Sequence, residues 1–417
     1  MPIVKNSTYL FLARFINSLV ILVLILIISR RLGPDIFGGY SFINAVVMTG
    51  VVVATFGLDA HMVREVSRDH SLGHTYLASV IGFKAVSSLI VMAGIYGLFK
   101  IFLIDQALVK LLAVFSIVIC LNSISQSLWF YGDAFQKFRF HAGLWAFSNI
   151  LKVPMVWLFI SVGESLKMVI YALVIAEFIS LIVSSLWIYT FFGGFPNSFS
   201  IKFILKLCKK VWPIAIIFIL SALYFRIDLM MLEIMKGDKA AGIYSAAYKL
   251  IEFLSIIPGT ICVAALPGLS ADYCNNTETF RANSVRSILV LGTGGIVIGL
   301  FLYLFAKQII LQLYGPLFFD SIICLSILSG VVFFLFINGY LAYVAIAMNN
   351  ERGMALILFI STILNVLLNY YLIPKYSYIG ASLSTLISEI FMLLFCILLF
   401  RKSELLSRHA ILGAGVK

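Results

Sequence analysis

Leu19-Val20-Ile21-Leu22-Val23-Leu24-Ile25-Leu26-Ile27-Ile28 is an unbroken aliphatic run closed by Ser29-Arg30-Arg31. A helix on a soluble domain buries one stripe and keeps the other face polar, whereas a helix apolar all round needs apolar surroundings on every side. With the mixed residues before it, the run reads as a membrane span over Thr8 to Ser29, close to the roughly 20 residues that a hydrocarbon core of about 30 Å requires. No small-residue cleavage site follows a short core, so the span is expected to be retained.

Working outward, comparable runs recur along the chain. The first set is completed near Gly38 to Gly57, Ser79 to Phe99, Leu111 to Phe130, Gly143 to Ser161 and Val169 to Phe192. A second set is expected near Val211 to Met235, Gly242 to Leu266, Ile288 to Ala306, Ile322 to Met348, Leu356 to Ile373 and Ile379 to Phe400. Hydrophobic residues make up 62% of the 417 and charged residues 12%, with a mean hydropathy of +1.08. Soluble domains carry about 45–50% apolar and about 25% charged residues, so a soluble fold is excluded. Uninterrupted apolar runs satisfy their backbone in lipid only as helices. The expected fold class is therefore an all-α membrane protein of about 12 transmembrane helices.

The net charge of +12 is scattered over short connections rather than gathered on one face, so nucleic acid is not an expected partner. Counted in alternate connections, Lys and Arg number 16 on the side of the N-terminus and 9 on the other, which places both termini in the cytoplasm. Six scattered cysteines without paired spacing read as inert thiols, and His70 and His74 lack a convincing third ligand, so no metal site is expected.

The longest polar connection within the chain, Phe192 to Lys210, is basic and separates the two sets. The expected organisation is an N-terminal six-helix lobe at 1–195, a basic cytoplasmic linker at 196–210, a C-terminal six-helix lobe at 211–402 and a cytoplasmic tail at 403–417. Gly33, Gly38, Tyr40 and Ser41 recur as Gly237, Gly242, Tyr244 and Ser245 at a constant offset of 204 residues. Six spans separate the copies, an even number, so the lobes are expected to be a parallel pseudo-repeat about an axis along the membrane normal.

These residues also carry a family resemblance. The turn Arg31-Leu32-Gly33-Pro34-Asp35-Ile36-Phe37-Gly38-Gly39-Tyr40 resembles the connection between the first two helices of the polysaccharide-exporting flippases of the multidrug/oligosaccharidyl-lipid/polysaccharide exporter superfamily. Ser127-Leu128-Trp129-Phe130-Tyr131-Gly132 with Lys137-Phe138 is similar to their fourth-helix exit. Tyr224-Phe225-Arg226-Ile227-Asp228 followed by Gly242 to Leu250 is similar to the opening of their second lobe, and Ile379-Gly380-Ala381 to the start of their twelfth helix. The resemblance implies two lobes around a cavity that opens alternately to either face of a bacterial inner membrane. It implies a substrate of polyprenyl-pyrophosphate-linked oligosaccharide, such as an O-antigen or other surface-polysaccharide repeat unit, with membrane lipid and other polysaccharide assembly proteins as partners.

Ionisable groups inside spans cost about 2.5–3.5 kcal/mol at the helix centre and usually face a cavity or a partner. Arg14, Lys84, Lys152, Arg226 and Lys249 are the cations within spans, and together they are expected to form a cationic path for a pyrophosphate. Arg14 shares a helix face with Asn17 and Ser18, Lys84 with Ser87 and Ser88, and Lys152 with Ser148 and Asn149. Arg14 and Lys84 also lie close enough to the cytoplasmic ends to snorkel, and Arg226 with Glu233 and Lys249 with Glu252 are spaced for structural ion pairs. Glu177 and Glu389 have no obvious partner on their own helices, and Asp228 lies off the Arg226 face. These three are the ion-coupling candidates, with a proton or a sodium ion as the coupling ion and a lobe-stabilising bond as the competing role. Asn122, Gln126, Asn149 and Asn365 are candidate glycan contacts, with helix packing as the alternative. Gly292, Gly294, Gly295 and Gly299 lie inside a span and read as a close helix crossing.

No catalytic constellation stands out, no cofactor is implied, and every outer connection is short, so an enzyme such as a membrane polysaccharide polymerase is the weaker reading. A multidrug or cation antiporter of the same superfamily would share the architecture but would favour an acidic cavity.

Overall fold

The computed structural model describes residues 2–102, 105–192 and 200–402, with side chains for 15–101, 105–192 and 200–400. It is helical throughout, with no strand among the described residues. The helices are α1 (Pro2–Thr55), α2 (Leu58–Val66), α3 (Gly73–Phe102), α4 (Gln106–Phe115), α5 (Ile117–Ala134), α6 (Phe138–Val162), α7 (Leu166–Phe192) and α8 (Ile201–Tyr224). They continue with α9 (Ile227–Lys236), α10 (Asp238–Leu254), α11 (Ile256–Asn275), α12 (Thr277–Leu304), α13 (Ala306–Leu313), α14 (Ser321–Ala347) and α15 (Glu351–Lys402).

Two of these hold two spans each. Within α1 the backbone breaks at Gly33, with φ 75° and ψ 179°. Pro34 has no amide hydrogen and drives the preceding residue out of the helical region, and glycine takes the positive φ without a Cβ clash. Gly237, at the junction of α9 and α10, has φ 81°. The two glycines related by the 204-residue offset thus adopt the same unusual sign of φ. Their followers Tyr40, Ser41, Tyr244 and Ser245 are all buried. Within α15 the break falls at Ser377, with φ 52° and ψ −130°, after Pro374. A Cβ on Gly380 would fall onto the backbone carbonyl of Leu372, so this turn closes only around glycine.

Nine helical stretches among the described residues are long and apolar enough to cross a membrane, or ten when α8 and α9 are taken as one broken span. Dividing Phe15–Thr55 (41 residues) and Glu351–Phe400 (50 residues) at their breaks brings the total to the twelve expected. The differences lie between spans. Part of the expected loop from 57 to 79 is the short helix α2, and the expected linker is helical from Ile201 onward, because apolar Ile204, Leu207 and Val211 give it a buried face.

The helices divide into two compact units. One holds Leu12–Arg226 with Gly237–Lys239, and the other holds residues 2–11, Ile227–Lys236 and the described chain from Ala240. In the first, α5 packs against α2, α3, α4, α6 and α7, and α8 packs on α2 and α3. In the second, α14 is flanked by α11, α12, α13 and α15.

The α12 crossing on α14 is backbone to backbone. A Cβ on Gly295 would come within 2.9 Å of Phe333 Cα and one on Gly299 within 2.7 Å of the Ser329 carbonyl oxygen, whereas one on Gly294 would meet nothing within 4 Å. Small residues allow this approach in lipid, where dispersion replaces the hydrophobic effect as the force between helices. Gly299→Val is expected to cost about 1–3 kcal/mol through overpacking and to lower the unfolding temperature in detergent. Gly294→Val should leave that temperature unchanged, and equal melting of the two variants would contradict the crossing.

Candidate functional site

In the first unit the polar residues form two clusters around α5, a helix whose buried face carries Asn122, Ser123, Ser125 and Ser127. In the first cluster Lys84 of α3 is completely buried. Its Nζ donates to both carboxylate oxygens of Asp59 at 2.7 and 2.6 Å and to the carbonyl of Ser123 at 2.9 Å. Ser127 Oγ donates to Asp59 Oδ1 at 2.9 Å. An ammonium has three donors, and all three are used here. Lys84, expected on the cationic path, instead ties α2, α3 and α5 together with no donor left for a phosphate in this conformation. Asp59 is not legible as the partner of Lys84 from sequence, because the α2 stretch resembles a polar loop.

The second cluster is a chain of side chains across α1, α6, α7 and α5. Asn149 Nδ2 donates to Asn17 Oδ1 at 3.0 Å, and Lys152 Nζ to Asn149 Oδ1 at 3.3 Å. Lys152 Nζ lies 2.7 Å from Glu177 Oε1, with the lysine side chain 15% exposed and the glutamate 2%. Asn122 Nδ2 faces both Glu177 oxygens at 3.3 Å, and Gln126 Nε2 donates to Asn122 Oδ1 at 2.7 Å. Glu177, without a partner on its own helix, therefore has one on α6. The arrangement brings together five residues singled out separately: Lys152, Glu177, Asn122, Gln126 and Asn149. A charged pair flanked by amides is neutral as a unit, and an anion that takes the lysine leaves the carboxylate uncompensated unless it takes up a proton.

In the second unit Asp228 on α9 is 3% exposed. It accepts from Tyr244 OH of α10 at 3.1 Å, from Thr385 Oγ1 of α15 at 2.6 Å, and from Asn369 Nδ2, also of α15. Asn369 Nδ2 donates further to Asn365 Oδ1 at 2.9 Å. Asn365, a candidate glycan contact, thus belongs to the surroundings of Asp228. No lysine, arginine or histidine forms an ion pair with Asp228 among the described residues. The oxygen of the Asn369 amide is buried without a hydrogen-bond partner. Oxygen donors around one buried carboxylate suit a proton or a hard monovalent cation better than an organic anion. Glu389 is 3% exposed and accepts from Asn338 Nδ2 at 2.7 Å.

The remaining cations stand elsewhere. Lys249 pairs with Glu252 at 2.6 Å, the i to i+3 pair expected from spacing. Arg226 lies at the break between α8 and α9, so it and Glu233 do not share one helix, and its Nη1 reaches the carbonyl of Ala222 at 3.4 Å. The side chain of Arg14 lies outside the described residues.

This is a polytopic α-helical membrane protein, and its fold is that of a transporter. It has the fold of the lipid II flippase MurJ in an inward closed conformation, with a TM-score of 0.72 at 14% identity over 95% of this chain and 87% of that one. An inward-facing multidrug resistance MATE transporter of the MOP superfamily matches with a TM-score of 0.71 at 16% identity, over 93% and 96% of the two chains. Residues 3–271 match the family model described as polysaccharide biosynthesis protein, and the chain belongs to that family. Among its relatives, the capsular polysaccharide biosynthesis protein CapF of Staphylococcus aureus is 23% identical over 93% of this chain and 96% of its own. A Shigella flexneri protein named as an O-antigen transporter is 25% identical over 92% and 94%.

Proposed function

We propose that the protein is a flippase that carries a polyprenyl-pyrophosphate-linked oligosaccharide, the repeat unit of a surface polysaccharide, from the cytoplasmic to the outer face of a bacterial inner membrane. Two six-helix lobes, 1–195 and 211–402, are joined by the basic segment 196–210 and rock against each other, with both termini and the tail 403–417 in the cytoplasm. The observation that carries this reading is the Lys152–Glu177 pair set in a row of amides inside apolar helices, in a member of a polysaccharide biosynthesis family. Lys152 is a point charge for a phosphate oxygen, and Asn122, Gln126 and Asn149 offer the donors and acceptors that sugar hydroxyls need. When the pyrophosphate arrives, Lys152 exchanges Glu177 for it, and Glu177 takes up a proton while keeping its hydrogen bond from Asn122. The prenyl tail stays in lipid.

Transport is driven by a proton or sodium ion at Asp228, with Glu177 and Glu389 as further coupling candidates. Arg14, Arg226 and Lys249 complete the cationic path on this reading. Proteins that assemble the same polysaccharide are its proposed partners. A multidrug antiporter is the second reading, favoured by the MATE-like fold alone.

The test is to delete the gene in a host without a redundant flippase, then restore wild type or Lys152→Ala at matched protein levels. Lipid-linked repeat units are expected to accumulate on the cytoplasmic face in the deletion while surface polysaccharide disappears. Wild type should restore export and Lys152→Ala should not. Unchanged glycan together with lost drug efflux would move the assignment to the antiporter.

A further inference from the structure

We propose that the first three turns of α8 bind anionic lipid headgroups at the membrane surface. This inference does not rest on the flippase reading. Helices α8 and α9 comprise 24 and 10 residues, about 50 Å of helix at 1.5 Å per residue, where a crossing needs about 30 Å. The crossing expected at Val211 to Met235 uses the C-terminal part and leaves 201–210 as surplus outside the hydrocarbon.

Three stripes run along that surplus. The first is buried: Ile204 and Leu207 are each 5% exposed and Val211 is fully covered, packed in one cluster with Leu58, Met62 and Val66 of α2 and Tyr76, Leu77 and Val80 of α3. The start is fixed as well, since Ser200 Oγ accepts from the Phe203 amide and the Ser200 amide donates to Ser79 Oγ. The second stripe is apolar and open, with Ile201 62%, Leu205 59% and Trp212 53% exposed. The third is Lys202, Lys206 and Lys209, all exposed, at spacings of four and three that place them on one face. None of these three lysines has an anionic partner among the described residues, whereas their neighbour Lys210 lies 3.6 Å from Glu65.

An apolar stripe beside a lysine stripe, on a helix continuous with a span, is suited to lying in the interface plane. The apolar residues dip below the headgroups and the ammonium groups reach the phosphates. An anionic leaflet meets both stripes at the depth where each stands. Each lysine near such a surface contributes about 1 kcal/mol, or about fivefold in affinity.

The experiment uses the full-length protein in neutral detergent, titrated with phosphatidylglycerol, phosphatidylcholine or inorganic phosphate. The readouts are the unfolding temperature and the bound lipid counted by native mass spectrometry. Phosphatidylglycerol should stabilise the wild type and stay bound, with binding that weakens as salt is raised, and phosphatidylcholine should do neither. The triple variant Lys202→Gln, Lys206→Gln, Lys209→Gln should lose about ten- to hundredfold in phosphatidylglycerol affinity, and the matching arginine triple should keep it. A wild type indifferent to the lipid charge, a glutamine triple that binds as tightly as wild type, or equal stabilisation by inorganic phosphate would each overturn the proposal.

Discussion

Replacing Asp228 by Asn should abolish the response of transport to an imposed ion gradient while leaving the protein folded and in the membrane. Asparagine has the size of aspartate and keeps an oxygen toward Tyr244 and Thr385, but it neither takes a proton nor neutralises a cation. The donors that hold Asp228 come from α10 and α15, so a change in its charge is felt by three helices at once. Coupling free energies between sites are typically 1–3 kcal/mol, so gradient-driven flipping in proteoliposomes should fall by about 5- to 150-fold. Thr385→Val should move in the same direction by a smaller amount. Imposing sodium and proton gradients separately would identify the ion, and an Asn variant that still responds to either gradient would remove Asp228 from the coupling step.

A comparably large effect is expected at Lys84, expressed in the amount of protein rather than in its transport. Lys84→Ala strands the Asp59 carboxylate in a site where the ammonium was completely buried. Removing one partner of a buried pair costs about 3–5 kcal/mol, against a total stability of about 5–15 kcal/mol. The variant should accumulate poorly and melt early in detergent. Pairing it with Asp59→Asn should recover much of the loss, because the double change leaves no bare charge. Normal accumulation of the single variant would rule out the structural role given to this lysine.

Much of this architecture could be read from residue order. Apolar runs of span length are a strong signal, and Gly33-Pro34 marks its break because both residues act on the backbone directly. The pairing of Lys249 with Glu252 is local and therefore legible from spacing. The partners of Lys84 and Glu177 are not local. Asp59 lies 25 residues before Lys84, and Asn122 lies 55 before Glu177. No periodicity within a helix reports which neighbouring helix will face it. The helix at 201–210 was obscured for a different reason. Its lysines resemble a solvated linker, although Ile204, Leu207 and Val211 already carry a helical period. Thr385 shares a face with Glu389 on α15, yet it donates to Asp228, since a side chain four residues away on the same helix points to a different neighbour.

The burial of Lys84 also bears on how the chain enters the bilayer. A lysine within a span resists insertion, by up to about 2.5–3.5 kcal/mol at the helix centre on translocation scales. Asp59 precedes Lys84 in the chain, so during synthesis the acid is made first and is waiting when the lysine emerges. The two can leave the translocation channel as one neutral hairpin, with the bonds to Ser123 and from Ser127 added once α5 packs against it. Moving the acid downstream, by exchanging the two residues, would keep the ion pair while giving up the bonds to the Ser123 carbonyl and from Ser127, and should delay the membrane integration of the third span.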